Sequence, residues 1–196
     1  LSDSTGKEQL SDSEIDETYF DAVFNSDWET AEKMVEEAAV KAGYTKAVYH
    51  GTDSRFTVFD TDEESTTRPQ HAWMADYPDG TIFLAEDYEV ADGYGERVMP
   101  LYLDTTDMKV FEEPNMYAHR AMDDKYGYEV YNYPVIAVKG KDMTIYATLD
   151  NTLVKSSDTV TYGDGGEIIS LSERFKHSNE DIRYSLSDES DGFDDE

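Results

Sequence analysis

Tyr49-His50-Gly51-Thr52, then Gly80-Thr81-Ile82-Phe83-Leu84-Ala85-Glu86-Asp87, then Ala91-Asp92-Gly93-Tyr94 are the segments that decide how this chain folds. Lys46-Ala47-Val48-Tyr49-His50 reads as a short strand, rich in residues that suit a pleated surface, and it closes on a His-Gly pair. Residues 81–85 read as a second strand and residues 88–94 as a short helix that ends at Tyr94. The pattern therefore sets a histidine at one strand end and a tyrosine on a helix just behind another strand.

Upstream, Ser26-Asp27-Trp28-Glu29 has the Ser-x-x-Glu form of a capping box. Trp28, Ala31, Met34, Val35, Ala38 and Ala42 then recur at helical spacing before Gly43. A helix over residues 27–42 with Gly43 as its stop is expected, its Met and Ala stripe packed in the core. Phe56-Thr57-Val58-Phe59 reads as a further short extended segment, whereas residues 61–79, with Pro69 and Pro78, lose all period and read as a long mobile loop.

Downstream, Val98-Met99-Pro100-Leu101-Tyr102-Leu103 reads as a strand in which Pro100 suggests an edge or a bulge. Met108-Lys109-Val110-Phe111, Tyr133-Pro134-Val135-Ile136-Ala137-Val138 and residues 143–149 add three more strands, with a helix over residues 116–125. Val160-Thr161-Tyr162-Gly163-Asp164-Gly165-Gly166-Glu167-Ile168-Ile169 has the form of a hairpin. Many short strands, one strong helix and little α–β alternation predict an α+β fold.

The chain has 196 residues, 38% of them hydrophobic, which is enough for one domain with a real core. Residues 1–18 are polar and acidic and read as a disordered linker, residues 19–186 as the domain, and residues 187–196 as a disordered acidic tail. A formal net charge of −29 argues against binding to nucleic-acid phosphates or anionic membranes and suits basic protein partners or solubility. With no cysteine there are no disulfides or thiolate nucleophiles. His50, His71, His119 and His177 lack the close histidine spacing of a metal site, so no metal is expected. The absence of an apolar stretch of membrane-spanning length and of a leader pattern predicts a soluble, cytoplasmic protein. A first residue of Leu1 rather than Met suggests a piece excised from a longer, multidomain chain.

The residues that can carry chemistry are those of the opening segments. An imidazole at a strand end can hydrogen-bond a ribose hydroxyl, and glycine exposes its amide and carbonyl to a carboxamide with no side chain in the way. Tyr94 can stack on a flat ring, with Phe83 as the opposite wall. Each also has a plain structural reading: His50 as a satisfied turn histidine, Tyr94 as an amphipathic core residue.

Order and spacing together resemble a known group. Residues 80–87 leading to Tyr94 resemble the Gly-Ile-Tyr-Phe-Ala-Asp…Ala-x-Tyr segment of poly(ADP-ribose) polymerases, and Tyr49-His50-Gly51-Thr52 resembles their upstream His-Gly motif. More closely, the chain resembles the ADP-ribosyltransferase-like domains of polyvalent proteins from phages and conjugative elements. The matching stretches include residues 27–39, Ala42-Gly43-Tyr44, Phe56-Thr57-Val58-Phe59-Asp60, Met99-Pro100-Leu101-Tyr102-Leu103, Val154-Lys155-Ser156, Val160-Thr161-Tyr162, Leu171-Ser172-Glu173-Arg174-Phe175 and Asp181-Ile182-Arg183-Tyr184-Ser185-Leu186. The resemblance implies two small packed sheets with a prominent N-terminal helix, and NAD as substrate. It implies His50 on the nicotinamide-side ribose, Gly51 on the carboxamide, and Phe83 and Tyr94 on the ring, with Thr52 and Ala85 completing the NAD site.

Such transferases place a Glu at the start of a late strand, where it stabilises the cation that forms as nicotinamide leaves. Aligned on that motif, the Glu position falls on Ile145 and a following Gln on Leu153. Asp142 is the nearest carboxylate and the candidate catalytic acid beside His50 and Tyr94; Glu129 is a more distant candidate, and an ordinary surface acid is the plain reading of both. Two functions follow. One is an NAD-dependent transferase acting on a macromolecular target as a mobile-element effector. The other is a catalytically inactive module that presents its acidic surface to a basic or nucleic-acid-binding protein, as a nucleic-acid mimic or anti-defence protein. NAD hydrolysis is a third outcome of the same chemistry.

Overall fold

Two helices come first in the computed structural model, which describes residues 10–59, 78 and 80–183. Helix α1 (Asp12–Phe24) is capped by Ser11, whose hydroxyl accepts from Glu14 N while Glu14 reaches back to Ser11 N at 2.8 Å. Residues 12–18, expected in the linker, therefore form the first half of a helix. What composition hides is the far end of that helix: Tyr19 has no exposed surface, and Asp16 accepts from the backbone and hydroxyl of Ser172. Expectations for the long loop fall outside the described residues except at Pro78, as do those for residues 187–196.

Helix α2 (Trp28–Lys41) starts one residue later than the capping-box reading has it. Asp27, not Ser26, is the N-cap, accepting from Thr30 N at 3.3 Å. Ser26 has φ 57, a left-handed conformation that closes the turn between the helices and removes it from the capping position. Gly43 follows the helix with φ 98, where glycine is the residue at ease.

The strands are β1 (Tyr44–Thr52), β2 (Ile82–Ala85), β3 (Arg97–Asp104), β4 (Met108–Glu112), β5 (Val135–Lys139), β6 (Thr144–Thr148) and β7 (Val154–Ser156), with α3 (Tyr88–Asp92) between β2 and β3. They form one seven-stranded mixed sheet in the order β4-β5-β6-β2-β1-β3-β7, in which only β4 and β5 are parallel. The α+β class holds, and the two sheets expected are joined into one. The join is narrow: β1 pairs along its length with β3 but meets β2 at the single rung Tyr49–Ala85. Among the described residues no further β1–β2 rung follows it.

Alternation along the strands sorts the core into faces. Val48, Leu84, Leu101, Ala137 and Tyr146 share a cluster with Phe59 and Ile182. A second cluster joins α1, α2 and the short helix α5 (Leu171–Arg174) to Tyr44 and Tyr102. A third packs helix α4 (Ala118–Ala121) on Ile136, Val138, Ile145 and Ala147. The helix expected over residues 116–125 is broken, α4 passing into a π turn (Met122–Tyr126) and then a 3₁₀ turn (Gly127–Tyr131). Phe56-Thr57-Val58-Phe59 makes one isolated bridge, Val58–Asp181, rather than a strand, and the glycine-rich segment closes on the bridge Tyr162–Ile168. No described helix is long and apolar enough to cross a membrane.

Candidate functional site

Pro100 sets the orientation of the backbone at the site. Its carbonyl accepts from Ser157 N, on the β7 side, and in an antiparallel strand a residue's N–H and C=O point to the same neighbour. Pro100 therefore loses no bond to β1, which is how proline is accommodated between two strands here. Its partner Tyr49 must face away from it, toward β2 and Ala85. Gly51, two residues on, faces the same way, but there the β1–β2 ladder has ended.

If the ladder continued, the Phe83 carbonyl would accept from Gly51 N–H. Instead it accepts from His50 Nδ1 at 2.8 Å. A carbonyl can only accept, so Nδ1 carries the proton and Nε2 presents a lone pair. Enclosure of the ring pushes the imidazole below its ordinary value, against a smaller upward pull from the Phe83 bond, so His50 is neutral at pH 7. Its ring makes T-shaped contacts with Phe59 at 4.9 Å between centroids and with Phe56 at 6.1 Å.

Gly51 has a second reason to be glycine. A Cβ there would lie 1.8 Å from the Ala91 carbonyl oxygen and 3.1 Å from Tyr94 Cβ. Helix α3 thus rests on the β1 backbone, and this contact brings Tyr94 beside Gly51, where the β1–β2 ladder has ended. Gly95, which the sequence reading passed over, is needed in the same way, since its Cβ would fall 2.3 Å from the Thr52 carbonyl carbon. Tyr94 is 38% exposed. By strand alternation Gly51, Phe83 and Ala85 lie on one face of the sheet. Phe83 leans on the cluster under α4, and Ala85 forms the last rung. Thr52 closes β1, its hydroxyl accepting from Ser54 N at 3.1 Å. Tyr94 thus lies beside Gly51 on the Phe83 and Ala85 face, whereas alternation sets the His50 side chain on the other face, with Val48 and Met99, its ring reaching the Phe83 carbonyl where the β1–β2 ladder ends.

Ile145, at the expected Glu position, is buried in β6 opposite Ala85, and Leu153 packs against the core. Asp142 is exposed on the β5–β6 turn and accepts from Ala118 N at 2.9 Å, anchoring the start of α4. The Tyr94 phenol is pushed up first by burial, then by the charges of Asp123 and Asp142. Asp123 had no sequence signal, because only the π turn carries it there. Glu129 accepts from Asn132 Nδ2 at 3.0 Å and is not among the charges that move Tyr94.

Glu86 is a further carboxylate next to Ala85, but its contacts are on the Leu84 face. Lys46 at 2.6 Å and the Tyr146 hydroxyl at 2.5 Å bind it and hold it below the usual carboxylate range. It borders a cavity of about 310 Å³ with Lys139, Thr45 and Thr105. Among the described residues no three His, Asp or Glu side chains are grouped to hold a metal ion.

Comparison with known proteins adds one match. A family model described as ADP-ribosyltransferase in polyvalent proteins matches residues 41–188, a span that includes every strand of the sheet. Neither the search of curated proteins nor that of solved structures gave a match.

Proposed function

The chain belongs to the ADP-ribosyltransferase family of polyvalent proteins, and on that premise we propose that it binds NAD across the β1–β2 gap and transfers ADP-ribose to a macromolecular target. The observation that carries the reading is the pairing of His50 with the Phe83 carbonyl, which leaves Gly51 facing the gap. The Gly51 amide and carbonyl are suited to the nicotinamide carboxamide, which has one acceptor and two donors. The His50 Nε2 lone pair is suited to accept from a hydroxyl of the adjoining ribose. Phe83 and Tyr94 flank the ring, and Thr52 and Ala85 border it.

In the reaction the bond from ribose C1′ to the nicotinamide nitrogen breaks and its electron pair leaves with nicotinamide. The acceptor's nucleophile then bonds to C1′ and gives up its proton. Positive charge builds on the ribose between these events, and a carboxylate aimed there lowers the barrier. Asp142 is our candidate for it, because its charge reaches Tyr94 and because one of its oxygens is fixed by Ala118 N. We place this activity in a mobile-element effector, of phage or conjugative origin, working in the cytoplasm of a bacterial host.

The buried Ile145 at the third-motif position favours a second reading, a catalytically inactive module that uses the net charge of −29 to engage a basic or nucleic-acid-binding protein. Incubation of host lysate with the protein and labelled NAD, read by mass spectrometry and by nicotinamide release, separates the two. Labelled macromolecules support transfer. Nicotinamide release without labelled products supports hydrolysis, and NAD binding without release supports the binding module.

A further inference from the structure

Among the described residues Phe56-Thr57-Val58-Phe59 makes one bridge, Val58–Asp181, yet Phe59 is buried and its ring closes on His50. Its far side is held by the C-terminal segment, residues 179–183. Ile182 N donates to the Thr57 carbonyl at 2.7 Å, and Ser156 N donates to the Ile182 carbonyl at 3.1 Å. Asp181 forms the bridge to Val58. Lys155 Nζ donates to the Asn179 carbonyl, and Arg183 pairs with Asp181 and Asp164. Between these anchors the Ile182 side chain has no exposed surface and lies in the same cluster as Phe59 and Val48. The segment is thus a strap fixed to β7 on one side and to the Phe59 segment on the other.

The bond to Phe83 holds Nδ1 of His50. The Phe59 ring packs on the imidazole at an interplanar angle of 87°, and Phe56 backs it at 4.8 Å from Phe59. We infer that the C-terminal strap orients His50 and keeps water from it by pressing Phe59 onto the imidazole, with Ile182 as a positioning residue. This rests on the reading of His50 as the ribose-contacting group, and it makes the geometry of the NAD site depend on a segment more than a hundred residues away in sequence.

The test reads His50 directly by NMR titration of the histidine ring protons without NAD, so that failure to bind NAD leaves it intact. His50→Gln identifies the His50 signal. Burial and the Phe83 bond are the influences on this imidazole, and only the first depends on the strap. Ile182→Ala should raise the His50 midpoint toward its ordinary value as water enters. Val35→Ala, a similar loss in the α1–α2 cluster, should leave it in place. Where Ile182→Ala does not fold, Ile182→Val decides by a smaller rise in the same direction. A folded Ile182 variant with an unmoved midpoint overturns the inference. So does an equal rise in Val35→Ala, which would show general loosening rather than positioning.

Discussion

Replacing Gly51 by Ala tests the contact that places Tyr94. The new Cβ would start 1.8 Å from the Ala91 carbonyl oxygen, and contacts under 3.0 Å are not found in real structures, so α3 must withdraw from β1. The obstacle is backbone rather than a flexible side chain, which puts the cost at the upper end of overpacking, about 3 kcal/mol. Reduced freedom of the unfolded chain offsets roughly 0.4–1 kcal/mol of this. The remainder corresponds to a fall in Tm of roughly 5–10 °C for a domain of this size. Thermal unfolding followed by circular dichroism measures it, with Gly93→Ala as control. There the nearest atom to the added carbon is 3.4 Å away, an ordinary contact on the same helix end, so Gly93→Ala should melt within about 2 °C of wild type. The reasoning is refuted if Gly51→Ala melts as Gly93→Ala does.

The remaining expectations concern the ligand, the acid, the first helix and pH. Tyr94→Ala should weaken NAD binding by about 1 kcal/mol or more through loss of the stacking face, and equal affinities by calorimetry would remove Tyr94 from the site. Asp142→Asn keeps an acceptor for Ala118 N, so its Tm should hold while nicotinamide release falls by about two orders of magnitude or more; unchanged turnover would make Asp142 a helix cap only. A chain starting at residue 19 loses the Ser11–Glu14 box and the Asp16 bonds to Ser172, and should melt more than about 5 °C lower, whereas composition alone made residues 1–18 dispensable. Burial pulls the Lys155 ammonium down to about 8, against the charges of Asp181, Asp150 and Glu180. Between about pH 8 and 10 the unfolded chain holds that proton and the folded one does not, so this residue's contribution to stability increases with pH in that window. Urea unfolding at both ends of it should show wild type gaining on Lys155→Met. A constant difference would show that Lys155 keeps its proton when folded. Above about pH 10 Lys155's contribution levels off and overall stability falls with pH, because burial holds the Tyr44 and Tyr146 phenols protonated in the fold while the unfolded chain ionises them.

Much of this protein was legible in its sequence because the signals are local. The periodicity of α2, the short β-rich runs and the His-Gly and Tyr segments each depend on neighbours within a few residues, and they led to the α+β class, the strands and the family. Glycine stops and proline positions are equally local, though the sequence could say only that Pro100 was special, not that its open side faces the end of β7.

Other features depend on groups distant along the chain. Residues 12–18 look like linker until Tyr19 reaches Thr159 and Asp16 reaches Ser172. Ser26 looks like a cap until the α1–α2 turn takes it into the left-handed region. Gly51 looks like room for a ligand, and the packing of α3 shows it is equally room for Ala91. The one-rung β1–β2 ladder, the capture of the Phe83 carbonyl by His50 and the strap behind Phe59 follow from how three remote segments share one core cluster. Burial and hydrogen-bond satisfaction select such arrangements over the whole fold at once, so no window of sequence could have shown them.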